Sequence, residues 1–344
     1  MDIDLQRKIN DALSLLARNA TIKDCSHPNK SECRLPIKGA HSLQKNGVLK
    51  YLEKTENGNS YIYCHYERKL RDADNFYDLK KIGRGEASTF FGFCDFHDTE
   101  LFKSIENDPN STDINNDEHC FLHSYRSFSH SYHRKYEELK LYNSEDAEVL
   151  KLLQNLYGSA LKDKIKGIEL AIHDFEKPKK KLDKLLLEKD YSGLDYLCFE
   201  FPHTIPVACA SVVTPHEYYS GAKFNHSFSE DEDYSDIFTT VLPLKNRSVV
   251  ILSAFSDDER ALKYLDEIEN IKYKLEQEKF LSFHILVNSE NVFLSPQYYN
   301  PKSEDWKRRY CSILDFNASD FTPFFSFNKK LPINYFDKSE KIIF

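Results

Sequence analysis

Residues 4–19 set Leu5, Ile9, Leu13 and Leu16 near one face of a 3.6-residue period, which predicts a short amphipathic helix. Residues 21–38 are polar and turn-rich. An extended segment follows from Arg34, and Asn46-Gly47 is a strong turn signal. Residues 48–52 suit a strand or a short helix. Residues 57–66 are β-branched and aromatic and predict a strand. Residues 67–81 are charged and poorly patterned, and read as a surface loop with at most a short helix. Gly83 to Thr89 is a small, polar approach to Phe90-Phe91-Gly92-Phe93.

From Cys94 to Glu106 the apolar stripe Leu101, Phe102 and Ile105 predicts a helix, with Asp95 and Asp98 near its positive N-terminal end. A loop over 107–116 leads to a second helix, 118–140, rich in aromatic residues and His. Residues 149–187 form a long Lys-rich helical region, periodic in Leu152, Leu153, Leu156, Leu161, Ile165, Ile168 and Ile172, with a break or kink at Pro178. The two helical regions are expected to pair antiparallel. Past Ser192-Gly193 the texture changes. Stretches 195–200, 207–213, 238–242, 248–255, 283–287 and 292–294 read as strands, interrupted by an acidic loop, 229–236, and a helix, 257–279. The expectation is an α+β chain: an N-terminal zinc-binding module of ββα or treble-clef-like form over 1–117, a helical middle over 118–190, and a β-rich C-terminal domain over 191–344.

Composition narrows the class. The chain has 344 residues, 40% of them hydrophobic, so a sizeable core is available. A net charge of -8 argues against broad, nonspecific coating of nucleic acid, though a local basic groove remains compatible with it. Eight Cys in this length fall below the density of a disulfide scaffold. The first residues carry charges where a signal peptide needs an apolar run, and no window approaches a membrane span. The expected setting is therefore the reducing cytoplasm, where clustered Cys and His suggest metal before disulfide.

The densest group of metal-ligand residue types is Cys25, His27, Cys33, His41, Cys94 and His97. Zinc favours four tetrahedral thiolate or imidazole ligands, and Cys25, Cys33, Cys94 and His97 supply Cys3His. The C-x2-H pair at a helix start lets both side chains face one ion. Cys25 and Cys33 are spaced more widely than in a usual knuckle, and His27 inside their loop competes as a ligand. His41 is either a ligand in place of one of the four or a free base. Cys64, Cys120, Cys198, Cys209 and Cys311 lack paired spacing and are expected mostly in the core.

Paired thiolates, Ala40-His41 at the end of a short strand, a turn, and a C-x2-H pair opening a helix resemble the HNH, or ββα-metal, endonuclease module. The resemblance covers residues 25–106. It implies that His41 activates water as the general base, and that Asp98 helps hold a divalent ion, Mg2+ or Mn2+, beside a scissile DNA or RNA phosphate. Zinc would brace the module through Cys25, Cys33, Cys94 and His97. The chain departs from the family at Ala40, where an acidic residue is usual, in having no clear counterpart of the middle Asn, and in the length between His41 and Cys94. The segments 40–46 and 91–106 also look like a group of uncharacterised bacterial proteins associated with phage-defence neighbourhoods. That likeness implies either a defence effector or a non-catalytic zinc-containing sensor with a partner protein of a defence system.

A second pattern, Arg126 to His133, resembles the R-x4-6-H signature of HEPN ribonucleases, which cut RNA without metal across a dimer. Nothing in the sequence fixes the oligomeric state. No G-x-S-x-G elbow, P-loop or dinucleotide fingerprint is present.

Overall fold

The structure, a computed structural model, describes residues 20–34, 36–70, 77–108, 110, 112–225, 234–317 and 326–342. The helix expected over 4–19 and residues 229–233 of the acidic loop lie outside the described residues. In chain order the strands are β1 (Ile37–His41), β2 (Lys54–Glu56), β3 (Asn59–Leu70), β4 (Tyr77–Ile82) and β5 (Thr89–Cys94). Four helices follow, α1 (Asp95–Glu106), α2 (Asp117–Tyr142), α3 (Ala147–Tyr157) and α4 (Leu161–Glu188). Then come β6 (Leu194–Phe201), β7 (Val207–Val213), β8 (Ile237–Leu244), β9 (Arg247–Phe255), α5 (Glu259–Glu269), α6 (Lys274–Asn288), β10 (Val292–Leu294), α7 (Pro296–Tyr299) and α8 (Glu304–Asn317).

The α+β class is thus observed. The chain forms two compact, interleaved units: Met1–Ala40, Phe90–Glu100 and Ser129–Lys189 in one, and His41–Thr89, Leu101–Phe128 and Asp190–Phe344 in the other.

The larger unit is built on an eight-stranded antiparallel sheet in the order β2-β3-β10-β7-β8-β9-β6, with β4 also paired to β3. Every residue of β8 is buried, and so is all but the two ends of β9. The reason lies in the period of two. Val250, Leu252 and Ala254 point into one apolar cluster with Tyr264, Ile268, Phe280 and Ile285 of α5 and α6. Val249 and Ile251 point into another with Leu43, Leu49, Leu52 and Cys120. A sheet covered on both faces needs runs of apolar residues rather than alternation.

Three expectations change here. Residues 67–70 and 77–81 are strand rather than loop: β3 runs on to Leu70 and β4 pairs with it, with a register shift between Cys64 and Arg68, while 71–76 lie outside the described residues. Charge on this segment fits an edge, since among the described residues β4 pairs with β3 alone. Residues 283–287 are not a strand but the C-terminal part of α6, buried as far as Leu286, because a short, mostly apolar run has no period to tell a strand from a buried helix. The helix expected over 257–279 is accordingly two, α5 and α6.

In the smaller unit, β1 pairs with β5 and α1 begins directly after β5. The long helical region is also two helices. The break falls at Gly158, with φ +55°, and α4 continues through Pro178. Tyr132 and Tyr136 hydroxyls each donate to Glu176 Oε1 at 2.8 Å, and Lys164 pairs with Glu138 at 3.6 Å. Rising numbers on α2 meet falling numbers on α4, so the two run antiparallel as expected. Tyr142, Val149, Leu153, Leu161, Ile168 and Ile172 fill the space between these helices and α3.

Candidate metal centre and the His41 corner

Cys25 and Cys33 flank a loop closed by a 3-10 turn, Lys30–Glu32, in which the Cys33 amide donates to the Lys30 carbonyl at 3.2 Å. The Ser26 amide donates to the Gly92 carbonyl at 2.6 Å, tying the loop to β5. Gly92 is required there, since a Cβ at this position would stand 2.4 Å from the Phe90 ring. Cys94 ends β5 and His97 sits in the first turn of α1.

These elements bring Sγ of Cys25, Cys33 and Cys94 and a His97 nitrogen within 4.8 Å of one another. Among the described residues this is the one group of three or more such ligands that can hold a metal ion. His97 Nδ1 lies 3.4, 3.6 and 3.3 Å from the sulfurs of Cys25, Cys33 and Cys94. Zinc bonds of about 2.3 Å to sulfur and about 2.0 Å to nitrogen, at tetrahedral angles, put S and N about 3.5 Å apart. The three separations fit that value.

The protonation states of His97 and Cys94 suit a metal-binding donor set. Burial holds the His97 imidazole below its ordinary value, which favours the neutral ring a metal requires. Burial opposes the Cys94 thiolate, but hydrogen bonds from the backbone of His97 and Arg34 more than offset it and leave the thiol below its usual range. Burial, and then the neighbouring Cys25 sulfur, pushes Cys33 up to about 12. Three sulfurs this close repel as thiolates, and a dication relieves that repulsion.

Several contacts around the cluster were not foreseeable from spacing. Glu32 Oε2 lies 3.9 Å from His97 Nε2, on the side away from the sulfurs. The His27 ring stacks on His97 at 3.8 Å and 14° rather than entering the cluster. Burial, with His97 beside it, lowers His27 to about 4. Lys179 Nζ of α4 donates to the Ser26 carbonyl at 2.9 Å and is ion-paired with Asp183. Only Glu32, next to Cys33, offered a signal, as a carboxylate near a ligand; Lys179 is hidden in a run of lysines.

His41 is not a member of the cluster. It ends β1, half-buried, with Nε2 3.2 Å from Thr89 Oγ1, and that hydroxyl donates to the Gly85 carbonyl at 3.1 Å. Burial lowers the His41 imidazole, with Arg126 adding to the effect, so the ring is neutral at neutral pH. Asp98 occupies the residue after His97 in α1 and is half-buried.

Arg126 and His133 each have a partner of their own. Arg126 is 2% exposed, pairs with Glu106 at 2.6 Å and lies 4.0 Å over the Phe102 ring. His133, also buried, approaches Glu137 at 3.3 Å. Cys64, Cys120, Cys209 and Cys311 are buried and Cys198 is half-buried, as their spacing led one to expect. No helix among the described residues is long and apolar enough to cross a membrane. Comparison with family models, curated proteins and solved structures returned no match.

Proposed function

We propose that the chain is a zinc-braced, metal-assisted nucleic-acid endonuclease. The observation that carries this reading is the order of parts around the ligands. A Cys25–Cys33 loop, strand β1 ending in His41, its partner β5 ending in Cys94, and a helix with His97 in its first turn keep the ββα order, with β2, β3 and β4 inserted between β1 and β5. With Cys25, Cys33, Cys94 and His97 all bound, zinc would have four protein ligands and no open position, so it would brace the module rather than activate water. His41 stands outside it as a neutral imidazole, able to accept a proton from an attacking water. Asp98 offers a carboxylate toward a divalent ion, which when bound would supply charge to the phosphate. A role as an effector in bacterial defence accords with the sequence likeness noted above.

The test is cleavage of DNA and RNA with Mg2+ or Mn2+ by wild type and by His41→Ala, with zinc content measured on both. Loss of cleavage by at least about a hundredfold, with zinc retained, is the result expected for a general base. Zinc lost from His41→Ala would make His41 a structural residue. No cleavage by wild type on either substrate would turn the reading to a zinc-containing binding protein.

A further inference from the structure

The charge of this chain is unevenly placed. The smaller unit's segments carry 20 basic and 19 acidic residues, and the larger unit's carry 27 and 36. The whole acidic excess therefore belongs to the unit with the sheet.

Within the smaller unit, α4 sorts its charges by face. At about 100° per residue, the buried residues Leu161, Ile168, Ile172, Lys179, Leu182 and Leu186 share one side, and the buried Leu185 lies between that side and the next face. An arc of about 60° on the opposite side holds Lys162, Lys166, His173, Lys177, Lys180 and Lys184, and no other residue of the helix falls within it. All six are exposed. Of the helix's acids, Glu176 accepts from Tyr132 and Tyr136 and Asp183 pairs with Lys179 nearer the buried side, whereas the exposed Glu169 borders the arc and Asp174 lies 3.9 Å from His173. Glu188 flanks the arc at its end, 4.0 Å from Lys184. The stripe is about 33 Å long from Lys162 to Lys184, the span of roughly ten phosphates along one strand. It is also fixed to the metal-binding loop, because Lys179 on the opposite face donates to the Ser26 carbonyl between Cys25 and His27.

We propose that this outer face of α4 binds the phosphate backbone of a nucleic acid. A row of five flexible ammonium groups suits a sequence-independent polyanion, and the acidic excess of the larger unit disfavours such binding to that unit. The inference rests on the nucleic-acid part of the reading above and not on its catalytic part.

The test is fluorescence anisotropy of the full zinc-loaded chain with a labelled DNA duplex and a labelled RNA single strand, each longer than the stripe. It is run across a salt series without Mg2+ or Mn2+. The variant K166Q/K177Q/K180Q/K184Q removes four charges from the arc, and Gln keeps the helix propensity of Lys. The control K50Q/K80Q/K245Q/K272Q removes four exposed charges from the acidic unit. Expected are salt-dependent binding by wild type and control, and for the α4 variant an affinity at least about tenfold weaker with a salt slope shallower by about three. Equal weakening of both variants, an unchanged α4 variant, or no binding by wild type at low salt would each overturn the proposal. Binding lost in the α4 variant while wild type fails to cleave would sink the nuclease reading and leave this one standing. Cleavage by wild type with an unaltered α4 variant would do the reverse.

Discussion

At the scale of single residues, Glu32 shows how the cluster depends on more than its ligands. If His97 binds through Nδ1, its Nε2 must carry the proton, and the Glu32 carboxylate 3.9 Å away favours that tautomer and raises the ring's basicity. Glu32→Ala should therefore lower metal affinity by up to about fivefold, the effect of an exposed charge pair, while leaving stoichiometric binding at saturation. Competition with a chromophoric chelator measures it; unchanged affinity would mean that Glu32 only happens to lie nearby. Cys25→Ser, which removes a ligand, should instead lose stoichiometric binding. The four residues of the cluster stood out in the sequence as metal-ligand types, but only Cys94 and His97, as C-x2-H at a helix start, are placed together by local geometry, and Cys25 and Cys33 join them through tertiary structure. Glu32 could be suspected only from its adjacency to Cys33. The stacking of His27 on His97 could not be read at all, since it depends on how the loop closes against α1.

At the scale of elements, the instructive helix is α4. Proline inside a helix lacks a donor and presses on the carbonyl four residues back, so Pro178 reads as a break. The helix runs on because its buried side is continuous across the site: Ile172 precedes it, and Lys179, Leu182 and Leu186 follow. Packing outweighs a local penalty of about 3 kcal/mol. Pro178→Ala should then stabilise the protein by about 1–3 kcal/mol, read as a higher urea midpoint with an unchanged slope. A lower midpoint would show that the proline is needed to seat Lys179 on Ser26. The true interruption, Gly158 in the left-handed region, carried no stronger signal than an isolated glycine. Strands of the sheet were legible where one long apolar run met turns, as in β7, β8 and β9. β4 was not, because an edge strand takes charge that a central strand excludes. The apolar run within α6 misled for the opposite reason, being buried on all sides.

At the scale of the whole molecule, the change of texture near residue 190 is visible in the sequence, whereas the interleaving of the two units is not. Residues 54–82 read as part of an N-terminal module, yet they supply β2, β3 and β4 to the C-terminal sheet, and only tertiary pairing reveals it. Burial on this scale also stores a pH dependence. His123 and His284 are held at about 3, and His130 well below its ordinary value, in each case chiefly by burial. His284 is kept neutral between the Thr239 hydroxyl, 2.8 Å from Nε2, and the Tyr264 hydroxyl, 2.8 Å from Nδ1. Above the unfolded-state value of about 6.5 both states are neutral at these sites, and pH has no leverage through them. Below it the unfolded chain takes up protons that the folded one refuses. Stability therefore falls with acidification, by about 1.4 kcal/mol per pH unit for each such His, for His123 and His284 until their folded value of about 3 is reached. Three of them acting together give about 4 kcal/mol per unit, enough to exhaust a stability of about 5–15 kcal/mol within a few units of pH. Release of metal from protonating thiolates acts in the same direction, so wild type must be compared with His284→Gln, in which the metal contribution cancels. The variant should be less stable at neutral pH, because Thr239 and Tyr264 lose well-placed partners. Its stability should fall less steeply between about pH 6 and 4, by about one-third of the buried-histidine slope. The two curves of unfolding free energy against pH should therefore converge on acidification, and parallel curves would mean that His284 takes up its proton in the folded state as readily as in the unfolded one.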